Sequence, residues 1–317
     1  MPVLSTMGSA SARNYGLFGG IPKLLFPAGT IGLFQQGVQG RGINKYIFTN
    51  DTCSSTTQYP TTTTNNTKTG FGIVTHAILG YGAGTDPTNY KFTFSGDTIV
   101  PASSYSQQQS RGASANNATQ AVVALAGQNG GTPLTNIYTF AGDVVSGGGS
   151  LTIKTWFSEG AGISTTALFA LASTAASPAT GSKITNKYSY ASNTAVLGTA
   201  LNTAVSMGPS FGNANVSIVT TGSAPLGTSH NTTQKYTWPG ETVSAGTNLT
   251  FAIGGSDSSG ISMAAGNDIN GIVTTGTTQL ITCKYVYAND GVGAATSLTL
   301  TARAGAAASN GIPGVSA

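Results

Sequence analysis

Large apolar side chains fall in short runs along this chain, and the runs return in register. At Tyr46, Phe92, Tyr138, Tyr188, Tyr236 and Tyr285 an aromatic is followed two positions later by a second one: Phe48, Phe94, Phe140, Tyr190, Trp238 and Tyr287. Residues two apart share one face of a β-strand, because successive side chains alternate. Five positions after each anchor comes an acid or amide, Asp51, Asp97, Asp143, Asn193, Glu241 or Asp290, often beside glycine, which is turn chemistry. Thirteen positions after it a large side chain returns: Tyr59, Tyr105, Leu151, Leu201, Leu249 and Leu298. The anchors are spaced by 46, 46, 50, 48 and 49 residues. This is a repeat protein.

Each unit reads as a strand, a tight turn, a second strand carrying the thirteenth-position residue, and further strands before the next anchor. Four strands in a period of about 40–50 residues describe the blade of a β-propeller. Six copies predict an all-β, six-bladed β-propeller of four-stranded antiparallel blades. The chain runs only 32 residues past Tyr285, too few for a whole unit. Residues 29–37 resemble the apolar strands at 121–127 and 271–276, which precede other anchors. An N-terminal strand is therefore expected to complete the last blade and close the ring, removing two open sheet edges. The propeller is assigned to residues 27–317. Residues 1–26 belong to no repeat and read either as a docking arm or as a terminus lying loosely on the ring.

Composition narrows the picture. Charged residues make up 7% of the chain, against a typical ~25%. The periodic aromatics and a net charge of only +4 argue for a folded chain rather than a disordered one. Five lysines stand immediately before an anchor: Lys45, Lys91, Lys187, Lys235 and Lys284. They read as strand-surface solvation or edge protection, or as a positive ring for an anionic glycan or lipopolysaccharide phosphate. Arg13, Arg41, Arg111 and Arg303 are scattered, so nucleic acid is not expected as a partner. No apolar run approaches the ~20 residues that span a bilayer, so no membrane insertion is expected. The opening Met1 to Ser9 lacks the basic start and apolar core of a signal peptide, and export by the general secretory route is not expected. Cys53 and Cys283 fall in the first and last repeats, neighbours in a closed ring, and read either as a closing disulfide or as two free buried thiols.

Candidate chemistry is sparse. Of nine acids, five fill the turn column, and Asp86, Glu159, Asp257 and Asp268 lie in different repeats with no local pair. A glycosidase needs two carboxylates about 5–9.5 Å apart. His76 and His230, in the first and fourth repeats, come with no nucleophile-elbow motif. The few histidines and cysteines offer no zinc pattern. No catalytic, cofactor or metal residues are assigned, and no cofactor is expected. Trp238 lies in the aromatic column and reads as core, whereas Trp156 reads as the exposed one, a candidate sugar-stacking platform.

An apolar strand ending in glycines, then polar residues, then Tyr-x-aromatic and a turn acid, resembles a kelch repeat. Residues 124–131 followed by Tyr138, Thr139 and Phe140 form the best copy. The segments 186–194 and 235–247 are similar to units of kelch-like repeat proteins of bacteriophages and their hosts. The resemblance covers about residues 30–317. It implies a non-enzymatic structural or adhesive virion protein of a bacteriophage. Loops would serve host-surface glycan or receptor recognition, or particle decoration, and residues 1–26 would attach to other virion proteins. The alternatives are a glycan-degrading depolymerase, or an adhesin or scaffold at the bacterial cell surface.

Overall fold

The computed structural model describes residues 29–311 except 37–39, 61–68, 81–87, 107–111, 126–131, 155–158, 172–180, 207, 223–227, 239, 254–261, 276–279 and 302–305. Twenty-four strands form six four-stranded antiparallel sheets. The innermost strands are Gly70–Gly72, Ala113–Asn116, Glu159–Gly162, Ser210–Gly212, Ala264–Gly266 and Ala307–Ser309. Each touches the next, and the last touches the first, so the sheets close into a ring. Among the described residues there is no helix, and hence none long and apolar enough to cross a membrane. We number the blades by their anchors, from blade 1 (Tyr46) to blade 6 (Tyr285).

The repeat columns map onto one position per blade. Every anchor lies on the third strand and is at most 1% exposed. In four blades its partner two positions on packs against it edge to face, as in Tyr46–Phe48 at 5.6 Å and Tyr236–Trp238 at 5.2 Å, and Tyr285–Tyr287 is a tilted pair at 6.1 Å. The second strand, such as Ile31–Gln35 or Gln120–Ala124, is buried along almost its whole length. It reads as an apolar run because both its faces meet a neighbour. The hydrophobic core is accordingly divided into six wedges, each shared by two adjacent blades.

The acid or amide column forms the turn between the third and outer strands. Asp51, Asp97, Asp143, Asn193, Glu241 and Asp290 all have φ between 49° and 56°. This left-handed region is costly for most side chains and least so for Asn and Asp, which explains the short polar residue in five of six copies. The thirteenth-position residue lies past the outer strand rather than on it. There its amide turns back to the head of the third strand, as Leu151 N to Pro133 O at 2.7 Å and Leu249 N to Asn231 O at 2.7 Å. The side chain is thereby tucked beneath the blade.

The ring closes through one blade built from both halves of the chain. N-terminal strands Ile31–Gln35, Ile43–Ile47 and Thr52–Ser55 complete a sheet whose innermost strand is the C-terminal Ala307–Ser309. Leu33 pairs with Ala308 and Phe34 with Ala307. Asn310, fully buried, latches the junction: its Oδ1 accepts Ile31 N at 2.7 Å and its own N–H donates to Ile31 O at 3.0 Å. The next blade leaves room for this strand only because it carries glycine. A Cβ on Gly70 would stand 2.2 Å from Ala307 O, and one on Gly72 2.3 Å from Ser309 O.

Asn310→Ala orphans the buried Ile31 N–H and should destabilise the fold by about 1–3 kcal/mol. The shift of the urea midpoint at constant m-value measures it.

Candidate functional site

Three columns meet at the seams between blades. The lysine before an anchor reaches forward to the turn acid of the following blade. Lys45 Nζ lies 2.6 Å from Asp97, Lys187 Nζ 2.6 Å from Glu241, Lys235 Nζ 3.7 Å from Asp290, and Lys91 pairs with Asp143. The fifth pair, Lys284–Asp51 at 3.1 Å, crosses the closure. A hydroxyl eleven positions after the anchor donates to the main-chain carbonyl of the same acid: Thr57 to Asp97, Ser103 to Asp143, Thr199 to Glu241 and Thr296 to Asp51. An amide two positions before the anchor reaches backward instead. Asn44 Oδ1 accepts Leu300 N at 2.8 Å, Asn136 accepts Ser106 N at 2.9 Å, and Asn186 accepts Thr152 N at 2.7 Å.

The lysine column therefore has a role that neither sequence reading supplies. These residues sit on the third strand, not the edge, and their charge meets a carboxylate of the next blade.

One seam departs from the pattern at its lysine, acid and hydroxyl positions together, while keeping the Asn186 amide contact. Blade 3 carries Ile137 where the others carry lysine, and blade 4 carries Asn193 where the others carry an acid. The hydroxyl column holds Gly149 at this seam, and its N–H donates to Asn193 Oδ1 at 2.8 Å and to the Tyr188 hydroxyl at 2.9 Å. A Cβ at Gly149 would stand 2.0 Å from Asn193 O. Ile137, 9% exposed, packs in the apolar wedge between blades 3 and 4. The ion pair has been exchanged for an uncharged clasp by mutually consistent replacements.

A titratable cluster surrounds the clasp between blades 2 and 3. The His76 ring packs edge to face on Phe140 at 5.6 Å, and its Nδ1 lies 3.0 Å from Thr75 Oγ1. Burial lowers its pKa from the ordinary 6.5; the Asp143 charge opposes this and the Lys91 charge adds to it. Burial works against the Asp143 carboxylate. Hydrogen bonds from Lys91 and from the Tyr138 hydroxyl at 2.7 Å, with the charges of Lys91 and His76, outweigh it and hold the group below 3.8.

The axis itself is narrow. The inner strands enclose a cavity of about 80 Å³ lined by glycine, alanine, Phe71 and Phe211, with Ser114, Asn116, Ser210 and Ser309 as its polar members. Ligand pockets for drug-sized molecules run to ~300–1,000 Å³, so the described axis admits a few waters and no sugar ring. His76 and His230 lie in blades 2 and 5, one blade on from their repeats, because a repeat counted from its anchor begins two strands into a blade. Asp268 sits in a turn of blade 6, while Asp86, Asp257, Trp156 and the Glu159 side chain fall outside the described residues. Trp238 is core as expected, 9% exposed, with its indole N–H 3.0 Å from Ser217 Oγ. Cys53 and Cys283 are free thiols, and burial pushes Cys283 up to about 12. Among the described residues no three His, Cys, Asp or Glu side chains gather as metal ligands would.

Six four-stranded blades around an axis make this chain a β-propeller. Many solved structures share this fold, and two of them illustrate the likeness. That of YjhT is similar with a TM-score of 0.59 and 8% identity, over 87% of this chain and 99% of that one. A fungal alcohol oxidase of the AA5 family, solved in complex with copper, is similar with a TM-score of 0.52 and 13% identity, over 87% of this chain and 66% of that one. At such identities the likeness is one of fold. No protein-family model matches the chain, and no curated protein matches it in sequence.

The uncharged seam yields a double-mutant cycle. Ile137→Lys alone inserts a half-buried cation without an acid, and Asn193→Asp alone an acid without a cation. Each should destabilise by roughly 0.5–2 kcal/mol, and the pair together by less than the sum. Additive urea-unfolding energies would mean that the two positions are not coupled.

The cluster at blades 2 and 3 sets an acid limit. Both folded-state pKa values are depressed, so the unfolded chain binds more protons at low pH and stability falls with pH. The His76 contribution is lost as pH drops below about 6.5 and that of Asp143 below 3.8. His76→Gln should flatten the fall in urea midpoint between about pH 7 and pH 5, and Asp143→Asn only the part below about pH 4.

Proposed function

We propose that this chain is a non-enzymatic structural and adhesive component of a bacteriophage particle. One observation carries the non-enzymatic part: the acids are committed to holding the ring together. Five of nine sit in turns that clasp neighbouring blades. Of the remaining four, only Asp268 has a described side chain, and it sits in a bend of blade 6 away from the clasps. The phage assignment rests on the likeness of the repeat to kelch-like units of phage proteins. In this reading residues 1–26 attach the propeller to other virion proteins, and one face of the ring meets the host surface.

Strand direction selects that face. Turns joining inner to second and third to outer strands are short, and all but position 239 are described. The strand ends joined by the longer and more variable connections, from second to third and from outer to next inner strand, all lie at the opposite face. Variable loops on a rigid scaffold are where recognition is usually placed.

A second reading, an enzyme acting from the loop face, is favoured by one fact: the copper-bound alcohol oxidase shares the fold. Mass spectrometry of gradient-purified particles, with an assay for reducing ends released from host-surface polysaccharide, separates the two. The structural reading expects the chain in stoichiometric amount on the particle and no release of reducing ends. Absence from the particle, or turnover of polysaccharide by the purified chain, would sink it.

A further inference from the structure

The six seams are not held equally, and the one between blades 5 and 6 is slack at all three clasp positions. Lys235 Nζ stops 3.7 Å from Asp290 Oδ2, farther than in the other four lysine–acid pairs. The second carboxylate oxygen, Asp290 Oδ1, is buried and has no hydrogen-bond partner. Thr247 stands at the hydroxyl position, yet among the described residues no hydroxyl donates to the Asp290 carbonyl, the bond that four other seams make. The third position, two before the anchor, is an amide in blades 1, 3, 4 and 5. In blade 2 it is Tyr90, which packs on Tyr59 at 5.3 Å. Blade 6 has Cys283 there, and Thr250 of blade 5 donates to its sulfur, a weak acceptor.

Packing does not make up the difference. Among the described residues the apolar wedge of this seam has seven buried members, no more than any other seam, against eleven between blades 1 and 2 or 3 and 4. Asn213 Nδ2 adds a bond to the Asp268 carbonyl at 2.9 Å. Both flanking seams are better tied. Lys187 Nζ donates to the two carboxylate oxygens of Glu241 at 2.6 and 2.7 Å. At the closure Asp51 accepts Lys284 and Thr296, and Asn44 accepts Leu300 N at 2.8 Å. Cys283 lies in the slack seam itself, fully buried in the cluster that holds Phe211, Leu249 and Ile253 of blade 5.

We propose that the ring opens reversibly at the seam between blades 5 and 6, short of unfolding, and that this opening uncovers Cys283. Proteins open locally where the fewest interactions have to be given up, and this seam gives up the least polar contact. Parting it also bares the inner strands Ser210–Gly212 and Ala264–Gly266. The closed axis, about 80 Å³, shields those strands from anything larger than a few waters. The inference concerns the ring itself and does not rest on the role proposed above.

The test labels the full chain carrying Cys53→Ser with N-ethylmaleimide at about pH 8, where a thiol reacts through its thiolate. Urea is varied below the unfolding transition, the reagent is kept in the range where rate is proportional to its concentration, and mass spectrometry reads Cys283. The same chain in concentrated urea gives the unprotected rate. Protection of Cys283 should fall short of the global unfolding constant by at least about tenfold, or 1.4 kcal/mol, and vary less with urea than global unfolding does. Lys235→Gln should speed labelling about threefold. Lys187→Gln removes the equivalent lysine one seam away and should leave the Cys283 rate unchanged. Asp290→Glu supplies the longer acid that blade 5 already carries at a similar φ, and should slow labelling about threefold. Protection equal to global stability would overturn the proposal. So would equal acceleration by the two lysine variants, or a rate that neither Lys235→Gln nor Asp290→Glu moves.

Discussion

A blade of this ring cannot bury its own sheet. Both faces of its second strand are apolar, and only an adjacent blade can cover either, so burial is always shared across a seam. Everything else follows from that. The anchors and their partner aromatics wedge the outer part of each seam. The inner strands shrink to glycine, alanine and serine so that six of them fit around one axis. The ring must also close, because an unclosed one would leave two apolar sheet faces in water.

Hydrophobic wedges hold the blades together but do not by themselves fix how one blade sits against the next. The polar clasps do that. Lysine and acid side chains in these pairs are between 11% and 41% exposed. At such exposure an ion pair contributes roughly 0–1 kcal/mol. Their geometric effect is larger, since each joins the third strand of one blade to the turn of the next. At the seam between blades 3 and 4 a packed isoleucine and a backbone-to-amide bond perform the same positioning without charge. Position rather than electrostatic strength is what the seam requires.

Much of the architecture was legible in the chain. Tyr138 and Phe140 announced a strand by their spacing, Asp143 a turn, and Leu151 a buried return. The lysine and acid columns were equally visible, yet their meeting was not, because partners such as Lys45 and Asp97 stand 52 residues apart in different copies. A subtler signal was present. The lysine is missing only in the third copy and the acid only in the fourth, which is what a contact from each copy to the next would produce. Blade boundaries were displaced for a related reason: an anchor marks a third strand, so counting from anchors splits each blade in two. The candidate site was less readable. Its hydroxyl and amide contacts, such as Thr57 to the Asp97 carbonyl and Thr152 N to Asn186, carry no hydrophobic period, and only the folded seam brings their segments side by side.

The composite blade has a consequence for how the chain is made. Gln35 is held by the main chain of Ala306, and the two are 271 residues apart. At ~5–20 residues per second, translation needs roughly 15–60 s to span that interval. Throughout it the strand Ile31–Gln35, entirely buried in the finished ring, has no inner neighbour to pair with. A nascent propeller of this design therefore carries an open, sticky sheet edge until Ala306 has been made, and a ribosome that stalls before that point releases a chain primed to aggregate.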